Sequence, residues 1–103
     1  MAVTPVFEIL AEPSRRRVLD LLLEQERTVG ELVDALDMSQ PAVSKHLRVL
    51  REAGLVEARV DAQRRVYRLR PEPLADVDAW LEPYRRFWRC KLASLQRHLA
   101  SDG

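Results

Sequence analysis

The chain has one cysteine, three glycines and 6% aromatic residues in 103 positions, and each scarcity removes a class of function. Cys90 alone makes neither an internal disulfide nor a thiolate cage for a metal, which fits a reducing compartment. The glycines stand at 30, 54 and 103, so no clustered glycine loop is available to cradle a phosphate. No stretch approaches the roughly 18 apolar residues of a membrane span, and MAVTPVFEIL lacks the basic start and apolar run of a secretion signal. The expectation is a cytoplasmic protein of one domain, residues 1–103, with a single modest core. Ser44, His46 and Asp34 supply the residue types of a hydrolase, but Ser44 and His46 lie two apart on one predicted helix and point in different directions. No catalytic residue and no enzyme activity are expected.

Charge of one sign is also scarce overall, the formal net charge being only +1, yet its distribution is uneven. Residues 1–38 carry four basic and eight acidic side chains, residues 39–70 eight and three, and residues 71–103 five of each. The positive charge is gathered in the middle third. A local basic footprint suits a polyanion, because counterion release depends on charges at the interface and not on the sum over the chain. A solvated charged surface is the plain alternative.

What the sequence does have is hydrophobic period. Val3 to Leu10 reads as a partial helix. Pro13 suits a first helical turn, and Val18, Leu19, Leu22 and Leu23 form a buried stripe on a helix of roughly 13–26. Thr28 stands three residues before Glu31, the spacing of a capping box, and starts a helix with Leu32, Val33 and Leu36 on its apolar side. Ser39 is the next N-cap, Pro41 lies in the first turn, and this helix should reach about Ala53 and stop at Gly54. The period then falls to two. LVEARV and RRVYRLR read as a two-stranded hairpin, and because Asp61-Ala62-Gln63-Arg64 lacks the Asn-Gly or Asp-Gly of a tight turn, a longer loop is expected. Leu74, Val77, Leu81, Tyr84, Trp88, Leu92, Leu95 and Leu99 then hold helical phase, with Pro83 expected to kink or split the element.

Two helices joined by a short turn, followed by an arginine hairpin, make a winged helix-turn-helix in the order α-α-α-α-β-β-α. On the helix after Ser39, the residues Val43, Leu47 and Leu50 face the core, while Gln40, Ser44, Lys45, Arg48 and Arg51 fill the remaining arc. That arc carries an amide suited to adenine, a hydroxyl for base edge or phosphate, and cations for guanine or phosphate. Gln40, Ser44 and Lys45 are the candidate base readers, Arg48 lies at the groove edge, and Arg51 meets a phosphate or an acidic neighbour. Arg64 and Arg65 at the wing tip suit phosphates or the adjacent minor groove. With Ser39 at the cap, these eight residues are the candidate contacts with double-stranded DNA. A winged helix that instead meets an acidic protein is the competing reading; the amide and hydroxyl at the helix start argue against it.

From AEPSRRRVLDLL through TVGELVDALDMSQPAVSKHLRVLREAGLV to RRVYRLR, the chain resembles the ArsR/SmtB family of bacterial winged-helix repressors. The resemblance implies a homodimer packed through its first and last helices, repressing transcription from an inverted-repeat operator until a signal arrives. Leu74, Val77, Leu81, Tyr84, Trp88, Leu92 and Leu95, with Trp80 and Phe87 beside them, would then form the dimer face; otherwise these aromatics close the core of one chain. The family's metal sites do not carry over. Its thiolate triplet falls here on Thr28, Val29 and Gly30, and its second site would use Asp76 and Asp78 but then meets Arg89 and Leu92. No metal and no cofactor are expected. Cys90 reads as a packed residue sooner than a redox switch, His98 as solvated, and His46 as a residue that packs or touches a phosphate.

Overall fold

Three of the described helices begin and end at residues whose chemistry dictates it. The structure, a computed structural model, describes residues 3–101. Helix α1 spans Val3–Leu10 and α2 Pro13–Glu24. Pro13 opens α2, and the Glu12 carboxylate accepts from the Ser14 amide at 3.2 Å. The sequence pattern carried α2 to residue 26, but it ends at Glu24. There the Leu21 carbonyl accepts from the Arg27 guanidinium at 3.1 Å and from the Gln25 amide at 3.4 Å. Leu23, expected in the buried stripe, is 73% exposed at that end.

The chain then forms a short strand, β1 (Arg27–Thr28), which has too few residues to show any alternation. Helix α3 (Val29–Leu36) has the expected capping box: Thr28 Oγ1 accepts from the Glu31 amide at 3.2 Å, and Glu31 Oε1 accepts from the Thr28 amide at 3.4 Å. Asp37, in the left-handed region at φ 53°, ends α3 and turns the chain toward Ser39. Ser39 Oγ accepts from the Ala42 amide at 3.3 Å and starts α4, Gln40–Glu52. At the far end the Leu55 amide donates to the Leu50 carbonyl and the Gly54 amide to that of Arg51, with Gly54 at φ +77°. This is a Schellman stop, and the positive φ is why a glycine stands there.

Strands β2 (Val56–Asp61) and β3 (Arg64–Leu69) pair antiparallel, and β1 adds to the other edge of β3 with Thr28 opposite Val66. The sheet therefore has three strands in the order β1-β3-β2, one more than the hairpin pattern announced. The hairpin loop is also shorter than expected. Asp61 pairs with Arg64, leaving only Ala62 and Gln63 in the turn, and Ala62 takes φ 59°. A positive φ at the first central position matches the twist of the strands, and the ladder holds an alanine in a conformation that costs it roughly 1–2 kcal/mol. Ala62→Gly should relieve most of that cost and stabilise the protein by about 1 kcal/mol after glycine's larger unfolded-state entropy is subtracted. A urea midpoint that stays or falls would contradict this account of the turn.

The core lies where α2, α3, α4 and the sheet meet, with Val18, Leu22, Leu32, Leu36, Val43, Leu47, Leu50, Leu55, Val56 and Tyr67 buried together. Helix α5 (Glu72–Ser101) has 30 residues and runs through Pro83 unsplit. A proline removes one ladder hydrogen bond, and Arg85 bridges the weak point. Its guanidinium donates to the Asp78 carbonyl at 2.9 Å, to Glu82 Oε2 at 2.7 Å and to the Asp78 carboxylate. The hydrogen bond from Arg85 holds the Asp78 carboxyl below its ordinary range. Helix α1 packs on α5, where Phe7 meets Trp80 edge to face at 5.4 Å and Trp80 lies 4.7 Å from Tyr84.

Candidate nucleic-acid interface

Helix α4 divides cleanly between core and surface. Val43, Leu47 and Leu50 are at most 1% exposed, and this anchors the opposite arc in one orientation. On that arc Gln40, Ser44, Lys45, Arg48 and Arg51 are all exposed. Pro41, Ser44, Lys45 and Arg48 surround one open depression. Ser39 is exposed too, but its oxygen already accepts from the Ala42 amide, so it positions α4 and keeps its hydroxyl proton and one lone pair to offer. His46 sits half-buried at the boundary of the arcs, with Nδ1 enclosed and without a hydrogen-bond partner among the described residues.

Arg64 and Arg65 border a second depression, whose other walls are Thr28, Val29 and Gly30. The sequence did not show that the wing reaches the start of α3. The connection comes from β1, which lays Thr28 beside β3.

The basic middle third is not uniformly available. Arg59 pairs with Glu26 at 3.3 Å, Arg64 with Asp61 at 3.7 Å, Arg70 with Glu57 and Glu72 at 3.6 and 3.5 Å, and Arg68 with Glu57. The hydrogen bond from Arg59 holds the Glu26 carboxyl below its ordinary range. Lys45, Arg48, Arg51 and Arg65 form no ion pair among the described residues. Within residues 39–70 the uncommitted cations thus lie on α4 and at one wing position. Exposed ion pairs are weak, so Arg64 can still exchange Asp61 for a phosphate, at the cost of breaking its present contact.

The positions that would hold metal in a metal-sensing relative have other tasks. Thr28 is spent in the capping box, and Asp78 is held by Arg85. Among the described residues no group of three or more His, Cys, Asp or Glu could hold a metal ion.

Residues 12–58, from the cap of α2 to the start of the wing, match the family described as bacterial regulatory protein, arsR family. The "HTH-type transcriptional regulator Rv2034" of Mycobacterium tuberculosis is 39% identical over 97 residues, which cover 94% of this chain and 88% of that protein. The chain belongs to the ArsR family. The "Arsenical resistance operon repressor" of Escherichia coli is 39% identical over 100 residues, covering 92% of this chain and 82% of the repressor. Among solved structures, the homodimeric winged helix-turn-helix DNA-binding domain of a possible ArsR-family regulator from Mycobacterium bovis superposes with a TM-score of 0.66 at 34% identity. That match covers 82% of this chain and 78% of the other. Membership makes this chain a winged helix-turn-helix transcriptional regulator.

In this ArsR-family chain the expected dimer residues fall into separate groups. Leu74 packs against the core of its own chain, so it is occupied before any partner arrives. Val77 and Leu81 are half-buried, while Tyr84, Trp88, Leu92 and Leu95 are exposed, with Phe87 and Leu99 beside them. Trp80 closes α1 onto α5, as the single-chain alternative had it, but the large apolar side chains beyond residue 84 stay exposed among the described residues. Cys90 is exposed rather than packed. The helix carries no core at that point, so a small side chain has nothing to pack into.

Proposed function

We propose that the protein is a cytoplasmic homodimeric repressor that binds an inverted-repeat operator with Gln40, Ser44 and Lys45 toward base edges. Arg48, Arg51, Arg64 and Arg65 meet the backbone, and Ser39 orients the helix. The observation that carries this reading is the pairing pattern of the cations: those on α4 are free of ion pairs while most of the wing's are engaged. A surface evolved only for solvation gains nothing from keeping its free cations beside an amide and a hydroxyl on one helix start. The homodimeric domain from Mycobacterium bovis and the exposed α5 stripe support assembly with a second copy through α1 and α5. Two recognition helices then address half-sites ~10–11 bp apart, or a small multiple of that.

Fluorescence anisotropy against the duplex upstream of the protein's own coding sequence, beside a shuffled duplex at two salt concentrations, tests the assignment. Gln40→Ala or Lys45→Ala should shrink the preference for the native duplex by roughly 1–3 kcal/mol. Arg65→Ala should weaken both duplexes alike and lower the salt slope by about 1, and Arg64→Ala should do less because Asp61 already holds that guanidinium. Zinc should change none of these values. If the wing variants altered base preference and the α4 variants did not, the roles would be reversed. Equal binding of native and shuffled duplexes by the unaltered protein would favour a protein partner for this face.

A further inference from the structure

We propose that a groove between α2 and the adjoining ends of α1, β3 and α5 binds a small apolar molecule carrying an ammonium group, and that this occupancy alters operator affinity. The second half rests on the DNA-binding reading above. The groove has a volume of about 320 Å³, at the lower end of the roughly 300–1,000 Å³ of small-molecule sites. Leu19 and Leu23 of α2, Leu10 closing α1, Leu69 closing β3 and Leu74 opening α5 give it apolar walls. Leu23 belongs by sequence to the buried stripe of α2, yet it stands 73% exposed at an apolar hollow that nothing in the described chain fills.

The rim carries two ionic groups, Arg16 and Asp20, and they are not equivalent. The Arg16 guanidinium already donates to the Leu10 carbonyl. Asp20, one helical turn later, is exposed and forms no ion pair among the described residues. A carboxylate with open acceptors beside an apolar hollow selects a ligand with a greasy body and a cationic head.

Position supplies the coupling. Leu10 ends α1 and Leu74 lies in the first turn of α5, the two helices that lead to the exposed aromatic stripe, and both reach back onto the core of the body that carries Leu19, Leu23 and Leu69 together with α4 and the wing. A molecule wedged between them prefers one angle of body against helices. By linkage it changes operator affinity only as far as the two angles bind it differently.

The test titrates isotopically labelled full-length protein with phenethylamine, with 2-phenylethanol as the uncharged isostere and 3-phenylpropionate as the anion, and follows amide shifts by nuclear magnetic resonance. The shifts should centre on Leu19, Leu23, Leu69 and Leu74, with the amine binding roughly 2–5-fold more tightly than the alcohol, the scale of one exposed ion pair. Asp20→Asn should erase that preference. Leu23→Arg, at a position already open to solvent, should block all three ligands while leaving the rest of the spectrum in place. Saturating amine should then change the dissociation constant of the upstream duplex at least ~5-fold in the unaltered protein and not in Leu23→Arg. Equal binding of amine and alcohol, or shifts centred elsewhere, would overturn the site. Binding with no change in operator affinity would overturn the effector role. A protein that bound no duplex even without amine would sink the DNA-binding reading instead, and the resonance titration would still decide the groove.

Discussion

Replacing Trp88 and Leu92 together with glutamate is expected to separate the dimer into folded monomers and to lower operator affinity by roughly 10²–10⁴, the range lost when a linked second contact is removed. The two side chains are 43% and 55% exposed within one chain, so neither is needed to complete the monomer's core. Charge placed at their positions opposes only association, because an unpaired carboxylate cannot enter a dry interface without neutralisation. Sedimentation should show half the mass, circular dichroism an unchanged helix content, and anisotropy the loss of tight binding. A double variant that remained dimeric would move the interface away from the distal half of α5. One that unfolded would mean that the stripe belongs to the fold of a single chain.

The second large effect sits on α4, where adjacent residues should behave oppositely. Leu47 is 1% exposed, and Leu47→Ala removes three buried carbons from the junction of α2, α3 and α4. The expected cost is about 2–5 kcal/mol, a fall in melting temperature of roughly 10–25 °C for a domain of this size, read at fixed protein concentration so that assembly does not contribute. Arg48→Ala, one position on, should leave the melting temperature nearly unchanged, since its side chain is exposed and unpaired and surface changes of this kind fall within about 0.5 kcal/mol. It should still weaken binding to every duplex. If Leu47→Ala were mild, α4 would not be held as its burial implies. If Arg48→Ala were destabilising, its side chain would have a structural contact.

Much of this architecture is legible in the sequence because local chemistry and burial agree. Thr28 with Glu31, Ser39 with Pro41, and Gly54 each announce a helix end through their own side chain or its absence, and Val43, Leu47 and Leu50 fix which side of α4 is free. The missed features depend on a partner distant in sequence, on strand pairing, or on side-chain bridges within one helix. Arg27–Thr28 is a strand only because β3 lies beside it. Ala62 accepts a left-handed conformation because the ladder closes at Asp61 and Arg64. Pro83 fails to split α5 while Arg85 bridges Asp78 and Glu82. The candidate site was legible as a set of residue types, but not the availability of their charges: that Arg59 is taken by Glu26, 33 positions earlier, follows from the fold alone.

The stripe along α5 also sets how two such helices can meet. Val77 and Leu95, and Leu81 and Leu99, are each eighteen residues apart in the sequence, a whole number of turns at 3.6 residues per turn. The shorter seven-residue steps drift one way around the helix and the eleven-residue steps, such as Tyr84 to Leu95, drift the other. Across the element the two drifts cancel. In a dimer paired through α5, as proposed above, the two helices are expected to cross as straight rods, with the crossing angle, not a superhelical pitch, fixing how far apart and at what rotation the two reading heads are carried.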